Sequence, residues 1–272
     1  MMKMTVLTYN TLFAGYDGAD GRRAQAQVSL INELRPDVFL MQEAKGFDAN
    51  GNARLFALES LIGMRGFLAA APRTGQNVAI FIREPLRPVS FEADSTHFHH
   101  ALATLQLVLP NSDKKITFIS AHLCPNGSDV RRREAAYLAV HAAPQNLTLL
   151  TGDFNSASPH DDEPEGFDLL PAHHRARYLA DDLCSADRSV LAHLEAAGWV
   201  DVGHALGGSN SPTVPTTGFT GTEFAVMRCD YMMASAALAS YAQSYQVIRT
   251  PLTDMASDHY PVLASFEIPT NE

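Results

Sequence analysis

Short apolar runs recur from one end of the chain to the other, and several are continuous rather than alternating. They include "MTVLTYN", "DVFLMQEA", "NVAIFI", "LATLQLVL", "KITFISAHL", "NLTLLTGDF", "RCDYMMAS", "YQVIRTP" and "YPVLASFEI". A strand solvated on one face alternates apolar and polar residues. A continuous run points to a strand covered on both faces. Four helical patterns lie between the runs. In "GRRAQAQVSLINELRP" Ala24, Val28, Ile31 and Leu34 recur at helical spacing, and Pro36 ends the helix. "ARLFALESLIGMRG" is the second, and "DVRRREAAYLAVHAAP" the third, with Asp129 as its expected cap. "SADRSVLAHLEAAGWVDV" is the fourth; it takes in Trp199, and Gly198 lies near its end. Strands dominate and helices separate them, which favours two packed sheets with helices outside.

The 272 residues, 46% of them hydrophobic, suit a single domain over 1–272. The longest stretch without strands runs from about residue 156 to 221, an insertion-like region expected to be functional or disordered. A net charge of −10 argues against a grip on long nucleic acid through many phosphates. It leaves room for one phosphate held through a metal ion. Three cysteines, Cys124, Cys184 and Cys229, give no disulfide framework. No run approaches the roughly 18 apolar residues of a membrane span, and "MMKMTVLTYN" contains no long apolar leader. The expectation is a soluble cytoplasmic protein.

Polar residues gather where the apolar runs end. Asn10 closes "TVLTYN", Glu43 closes "VFLMQE" and His122 closes "TFISAH". Asp153 and Asn155 close "LLTGDFN", Asp230 sits in "RCDY", and Asp258 and His259 precede the last run. Asp153 and Asn155, two apart, are expected on one strand face. Read alone, Asn10, Asp153 and Asp258 are turn residues, because Asp and Asn favour turns, Glu43 is a surface charge, His122 a structural histidine, and Asp230 with His259 a structural ion pair. Together they are types that bind hard cations or move protons, placed where a sheet scaffold commonly presents catalytic groups.

In this order "TYN", "QE", "AHL", "GDFN", "RCDY" and "SDHYPV" span nearly the whole chain. The set closely resembles the endonuclease/exonuclease/phosphatase superfamily, the DNase I-like fold. The resemblance implies a four-layered α/β sandwich, two central mainly antiparallel sheets flanked by helices. It also implies a divalent-metal-dependent hydrolase of phosphate esters. Asn10, Glu43 and Asp258 would serve the metal, Mg²⁺ with Mn²⁺ as the alternative. Asp153 would activate the attacking water, and Asn155 would donate to the phosphoryl oxygen. Asp230 would pair with His259, raising its pKa, and His259 as imidazolium would meet the phosphate. His122 would contact a phosphate oxygen or act as general acid.

Three further features stay open. "STHFHHAL" clusters His97, His99 and His100, with His97 and His99 sharing a strand face: substrate contact, surface or a transition-metal site. Arg131, Arg132 and Arg133 start a helix, where Arg131 is a candidate phosphate contact against a solvated face. "HDDEPE" with "HHRARY" is a substrate lid or an exposed polar loop. The preferred substrate is a small molecule carrying a single phosphate, because no basic patch interleaved with aromatics appears and no apolar loop marks a membrane surface. Nuclease action on DNA or RNA is the alternative. A non-catalytic binding protein that keeps the fold is the reading from another class.

Overall fold

The computed structural model describes residues 1–220 and 223–270. In chain order the elements are β1 (Met2–Asn10), α1 (Arg22–Leu34), β2 (Val38–Gln42), α2 (Ala53–Ile62), β3 (Arg65–Ala69), β4 (Val78–Ile82) and β5 (Arg87–Asp94). Next come β6 (Leu102–Val108), β7 (Lys115–His122), α3 (Ser128–Ala139), β8 (Leu147–Asp153), α4 (Ala172–Arg175) and α5 (Ser189–Ala196). The chain finishes with β9 (Val200–Asp201), α6 (Val202–Ala205), β10 (Asp230–Ala234), α7 (Ala236–Ala239), β11 (Ala242–Val247), α8 (Thr253–Ala256) and β12 (Val262–Ile268).

Two six-stranded sheets result, in the orders β11-β12-β1-β2-β4-β3 and β5-β6-β7-β8-β10-β9. Each has one parallel pair, β1 with β2 and β7 with β8, joined through α1 and α3 respectively. All other pairings are antiparallel. This is the four-layered α/β sandwich.

Burial explains the unbroken apolar runs. One cluster, with Val6, Val38, Leu40, Ile80, Leu105, Phe118, Leu149, Met232 and Val262, fills the space between the sheets. The alternate residues Leu7, Phe39, Met41 and Phe81 face the other way, against Leu30 and Ile31 of α1 and Leu55 and Ile62 of α2. On the second sheet Ile119, Leu150, Tyr231 and Met233 meet Ala135 and Leu138 of α3 and Val190, Leu191 and Leu194 of α5. Both sides of the central strands therefore leave water, the dominant favourable contribution to folding.

Several local expectations change. The cap position of α3 is Gly127; Asp129 lies inside the first turn and pairs with Arg132. The fourth helix stops at Ala196, Gly198 follows with a φ of 105°, and Trp199 lies outside the helix. Trp199 is buried and its indole donates to the Leu138 carbonyl at 3.2 Å. Residues 96–100 form bends, so His97 and His99 share no strand face. The 156–221 region carries α4, α5, β9 and α6, and its Phe167, Tyr178 and Val214 pack into a buried cluster with Met227 and Cys229, which follow it; its last residue, Gly221, lies outside the described residues. Cys124, Cys184 and Cys229 are free thiols. Among the described residues no helix is long and apolar enough to cross a membrane.

Candidate active site

Topology gathers the polar strand ends. Asn10 ends β1, and Glu43 follows its parallel neighbour β2. His122 and Asp153 end the parallel pair β7 and β8 and stand in register with each other. Asp230 begins β10, antiparallel to β8, and is in register with Asp153. Asp258 and His259 precede β12, antiparallel to β1. One edge of the sandwich thus receives every group. Gly152 makes this approach possible: a Cβ there would stand 1.8 Å from the Ala121 carbonyl oxygen, and its φ is 139°.

The groups touch. The Asn10 amide donates to Asp153 Oδ2 at 3.0 Å and lies 3.4 Å from Glu43 Oε1 and from His259 Nε2. His259 Nδ1 lies 2.8 Å from Asp230 Oδ2, and His259 Nε2 is 3.6 Å from Asp153 Oδ2. His122 Nε2 is 3.4 Å from the same Asp153 oxygen. Asn10, His122, Asp153, Asn155, Asp230 and His259 are buried; Glu43 and Asp258 are half-buried. Ser257 Oγ donates to the Asn10 carbonyl at 2.7 Å, tying the His259 loop to β1. Thr213 Oγ1 accepts from the Asp230 N–H at 3.1 Å. No sequence signal marks these two supporting hydroxyls, since Ser and Thr are common in turns.

Asn155 is not carried by the strand period. β8 ends at Asp153, and Asn155 takes a left-handed φ of 48°. Its N–H donates to Asp153 Oδ1 at 2.9 Å, a local turn bond of the kind Asp and Asn make. Its amide nitrogen donates to the Leu123 carbonyl at 3.0 Å, which leaves one amide hydrogen free for the pocket.

Charge follows from burial and neighbours. Burial disfavours a charged His259, yet Asp230 and Asp153 outweigh it and hold its pKa well above the usual imidazole value. His122 goes the other way: burial, then the His259 charge, push it down to about 3. It is therefore neutral near pH 7 and offers a hydrogen bond rather than an acidic proton. Glu43 is pushed up to about 7 by burial and by the charge of Asp258.

A divalent cation suits this end of the pocket. Glu43 and Asp258 offer hard oxygens, the ligands Mg²⁺ prefers, whereas Asn10, expected as a third ligand, turns its amide nitrogen toward Glu43 and gives its Oδ1 to the Leu12 N–H. Glu43 receives only the Asn10 amide and the Phe13 N–H at 3.0 Å, and among the described residues no basic side chain pairs with it. Asp153, Asp230 and His259 also present ligand atoms within 4.8 Å of one another. There, however, the Asp230–His259 hydrogen bond already occupies the imidazole nitrogen, and the charge it sustains repels a cation. The Glu43 end is the better fit.

The remaining candidates lie elsewhere. His97 pairs with Asp94 at 2.8 Å and stacks on Tyr137, half in solvent. His99 and His100 continue inward to His122, with ring centres 4.8 and 4.3 Å apart. Arg131 is not presented to the pocket. It is fully buried, donating to the carbonyls of Cys124 at 3.1 Å and Arg177 at 2.9 Å, so the solvated-face reading fails as well.

Known proteins share this frame. An AP endonuclease from Archaeoglobus fulgidus is similar over 97% of this chain and 100% of its own, with 20% identity and a TM-score of 0.70. The mannosyl-6-phosphatase Bt3783 of Bacteroides thetaiotaomicron matches over 96% of this chain and 98% of its own, at 16% identity and a TM-score of 0.67. D. rerio TDP2 complexed with single strand DNA product matches over 98% and 99%, at 17% identity and a TM-score of 0.69. No curated protein matches the chain. The sequence itself matches the Endonuclease/Exonuclease/phosphatase family over residues 7–259, and the chain belongs to that family, whose members are hydrolases acting on phosphate esters.

Proposed function

We propose that this chain is a divalent-metal-dependent phosphoesterase that prefers a small substrate with one scissile phosphate. The observation that carries the reading is the single Asn10 amide, which joins Glu43 at the cation end to Asp153 at the other. Mg²⁺, with Mn²⁺ as the alternative, would be held by Glu43 with Asp258 and would polarise a phosphoryl oxygen.

The chain's own groups divide the remaining work. Asp153 accepts a proton from the attacking water; the Asn155 N–H and the Asn10 amide fix its two oxygens so that it faces the water in one orientation. His259, held as imidazolium by Asp230, places a positive donor against the charge that develops on the phosphate. The free amide hydrogen of Asn155 serves the same oxygens. His122, neutral, hydrogen-bonds rather than protonates. Nuclease action is the second reading, because the family includes nucleases as well as phosphatases.

A panel of phosphomonoesters, phosphodiesters and plasmid DNA, with Mg²⁺ or with EDTA, tests both. Metal-dependent release from small esters supports the preferred reading. Plasmid nicking that falls steeply with salt, without small-ester turnover, would replace it by the nuclease reading. Asp153→Asn should lower turnover by about 10²–10⁴-fold, the range of a positioned general base. A variant with full turnover would remove the role given to Asp153.

A further inference from the structure

A cavity of about 720 Å³ opens at the end of the sandwich away from the hydrolytic groups. It lies where the chain crosses from β4 of one sheet to β5 of the other, beside the end of α2 and the start of β3. Ile82 of its wall is in register with Val38, the first residue of β2, whereas Glu43 follows the last. The five residues of β2 therefore separate the two places by about 16 Å, at the usual rise of a strand. None of the proposed hydrolytic groups lines the cavity.

Three arginines, Arg65, Arg83 and Arg87, share this cavity in a chain of net charge −10. Among the described residues the arginine ion pairs belong to Arg22, Arg23, Arg132, Arg177, Arg188 and Arg228, and to none of these three. Arg83 is held rigidly. Its Nε donates to the Pro36 carbonyl at 3.3 Å, and its Nη1 to those of Ile62 and Gly63 at 3.1 and 3.2 Å, the C-terminal end of α2. Its Nη2 is buried and donates to nothing among the described residues, although buried N–H groups are nearly always paired. A like charge stands near it: burial first, then Arg35, lowers the Arg83 pKa. The carboxylates around the group are used elsewhere or exposed. Glu59 accepts the Gly66 N–H at 2.6 Å, and Asp37 accepts the N–H and the hydroxyl of Thr5 at 2.7 and 2.9 Å. Glu84, the other acid of the lining, is exposed.

We propose that this cavity is a separate anion site, which takes a small molecule carrying a phosphate-type oxyanion between Arg65, Arg83 and Arg87. The guanidinium fork matches the oxygens of a phosphate and gives them charge-assisted hydrogen bonds. Arg83, fixed by the end of α2, is the rigid floor, and the anion supplies its Nη2 with an acceptor. Arg65 and Arg87, both exposed, close on the anion from β3 and β5. These are edge strands of different sheets, so the bound anion ties the two sheets together at the end where no catalytic group does so. It also offsets the repulsion between Arg35 and Arg83.

Calorimetric titration of the full chain with pyrophosphate, in EDTA and at physiological salt, tests it without metal or turnover. Pyrophosphate should bind with a Kd below about 1 mM, and the side-chain NMR signal of Arg83 should move as it does. The double variant Arg65→Met, Arg87→Met should weaken binding about tenfold or more, the scale of one lost charge-assisted contact. Both changes fall on exposed side chains, and circular dichroism checks that the variant is folded. Arg22→Met, a charge loss at the start of α1, should leave the Kd within about twofold. No binding at millimolar pyrophosphate, an unmoved Arg83 signal, or an affinity that the double variant retains would overturn the proposal. The last result would place the anion at the hydrolytic groups instead. The outcome does not depend on the ester panel, so either reading can fail without the other.

Discussion

Asp230 Oδ2 lies 2.8 Å from His259 Nδ1, and both side chains are buried. The pair joins the two sheets, since Asp230 begins β10 of one and His259 precedes β12 of the other. A buried imidazole would ordinarily be neutral. This one is charged because two carboxylates, Asp230 and Asp153, face it. His122, whose ring is as deeply buried, has no carboxylate that outweighs that burial, and burial first and the positive charge of His259 second keep it neutral.

Asp230→Asn should therefore lower the His259 pKa and shift the alkaline limb of the pH–rate profile to lower pH. Wild-type His259 carries its charge at neutral pH because its pKa is raised; the variant loses that charge earlier as pH climbs. With saturating metal, kcat near pH 8 should fall by about 10²-fold or more. Imidazole NMR signals of His259 followed against pH check the cause directly. An unchanged titration in the variant would show that Asp230 does not set the charge.

Glu43 predicts a link between metal and stability. Its folded pKa, about 7, is raised above the ordinary 4.5, so its contribution to stability is full below pH 4.5 and is lost as pH rises to about 7. A bound cation offsets that loss. At about 100 times its Kd, Mg²⁺ should add about 2.7 kcal/mol, or about 5–10 °C in Tm for a chain of this size. The gain should be smaller at pH 5, where the proton competes, and largely absent in Glu43→Gln. Thermal melts with and without Mg²⁺ at pH 5 and pH 8 measure it; an equal shift in Glu43→Gln would place the cation elsewhere.

Nine of the twelve strands fall on apolar runs visible in the sequence, and the three that do not have a common cause. β3, β5 and β9 each sit at a sheet edge with a single partner. β5 begins Arg87-Pro88 and is largely exposed, β3 contains Gly66, and β9 is two residues long. Edge strands tolerate charge, Pro and brevity, so hydrophobic patterning does not reveal them. The polar strand ends were legible because strands covered on both faces leave polar groups only at their tips. Arg131 was misread for the converse reason. Three consecutive arginines look solvated, and nothing local shows that one of them turns inward to bare carbonyls.

Gly152→Ala should disrupt the chain rather than tune it. The added methyl would stand 1.8 Å from the Ala121 carbonyl oxygen on β7, and that backbone cannot move aside as a flexible side chain could. Its positive φ adds strain. The expected loss exceeds about 4 kcal/mol, the exceptional end of point substitutions, and urea titration of any soluble fraction measures it. Near-native stability would mean that β7 and β8 separate easily, and with them His122 and Asp153.

Arg131→Met separates a structural arginine from a phosphate-binding one. The guanidinium is fully buried and donates to the carbonyls of Cys124 and Arg177, which joins the start of α3 to the 156–221 region. Methionine retains most of the apolar stem but leaves those carbonyls without their donors, at about 1–3 kcal/mol each. Stability should fall by about 2–4 kcal/mol by urea titration. At a temperature where the variant is fully folded, KM for a phosphate ester should stay within about twofold of wild type, because no ligand contact has been removed. A KM raised tenfold with unchanged stability would instead return Arg131 to the substrate.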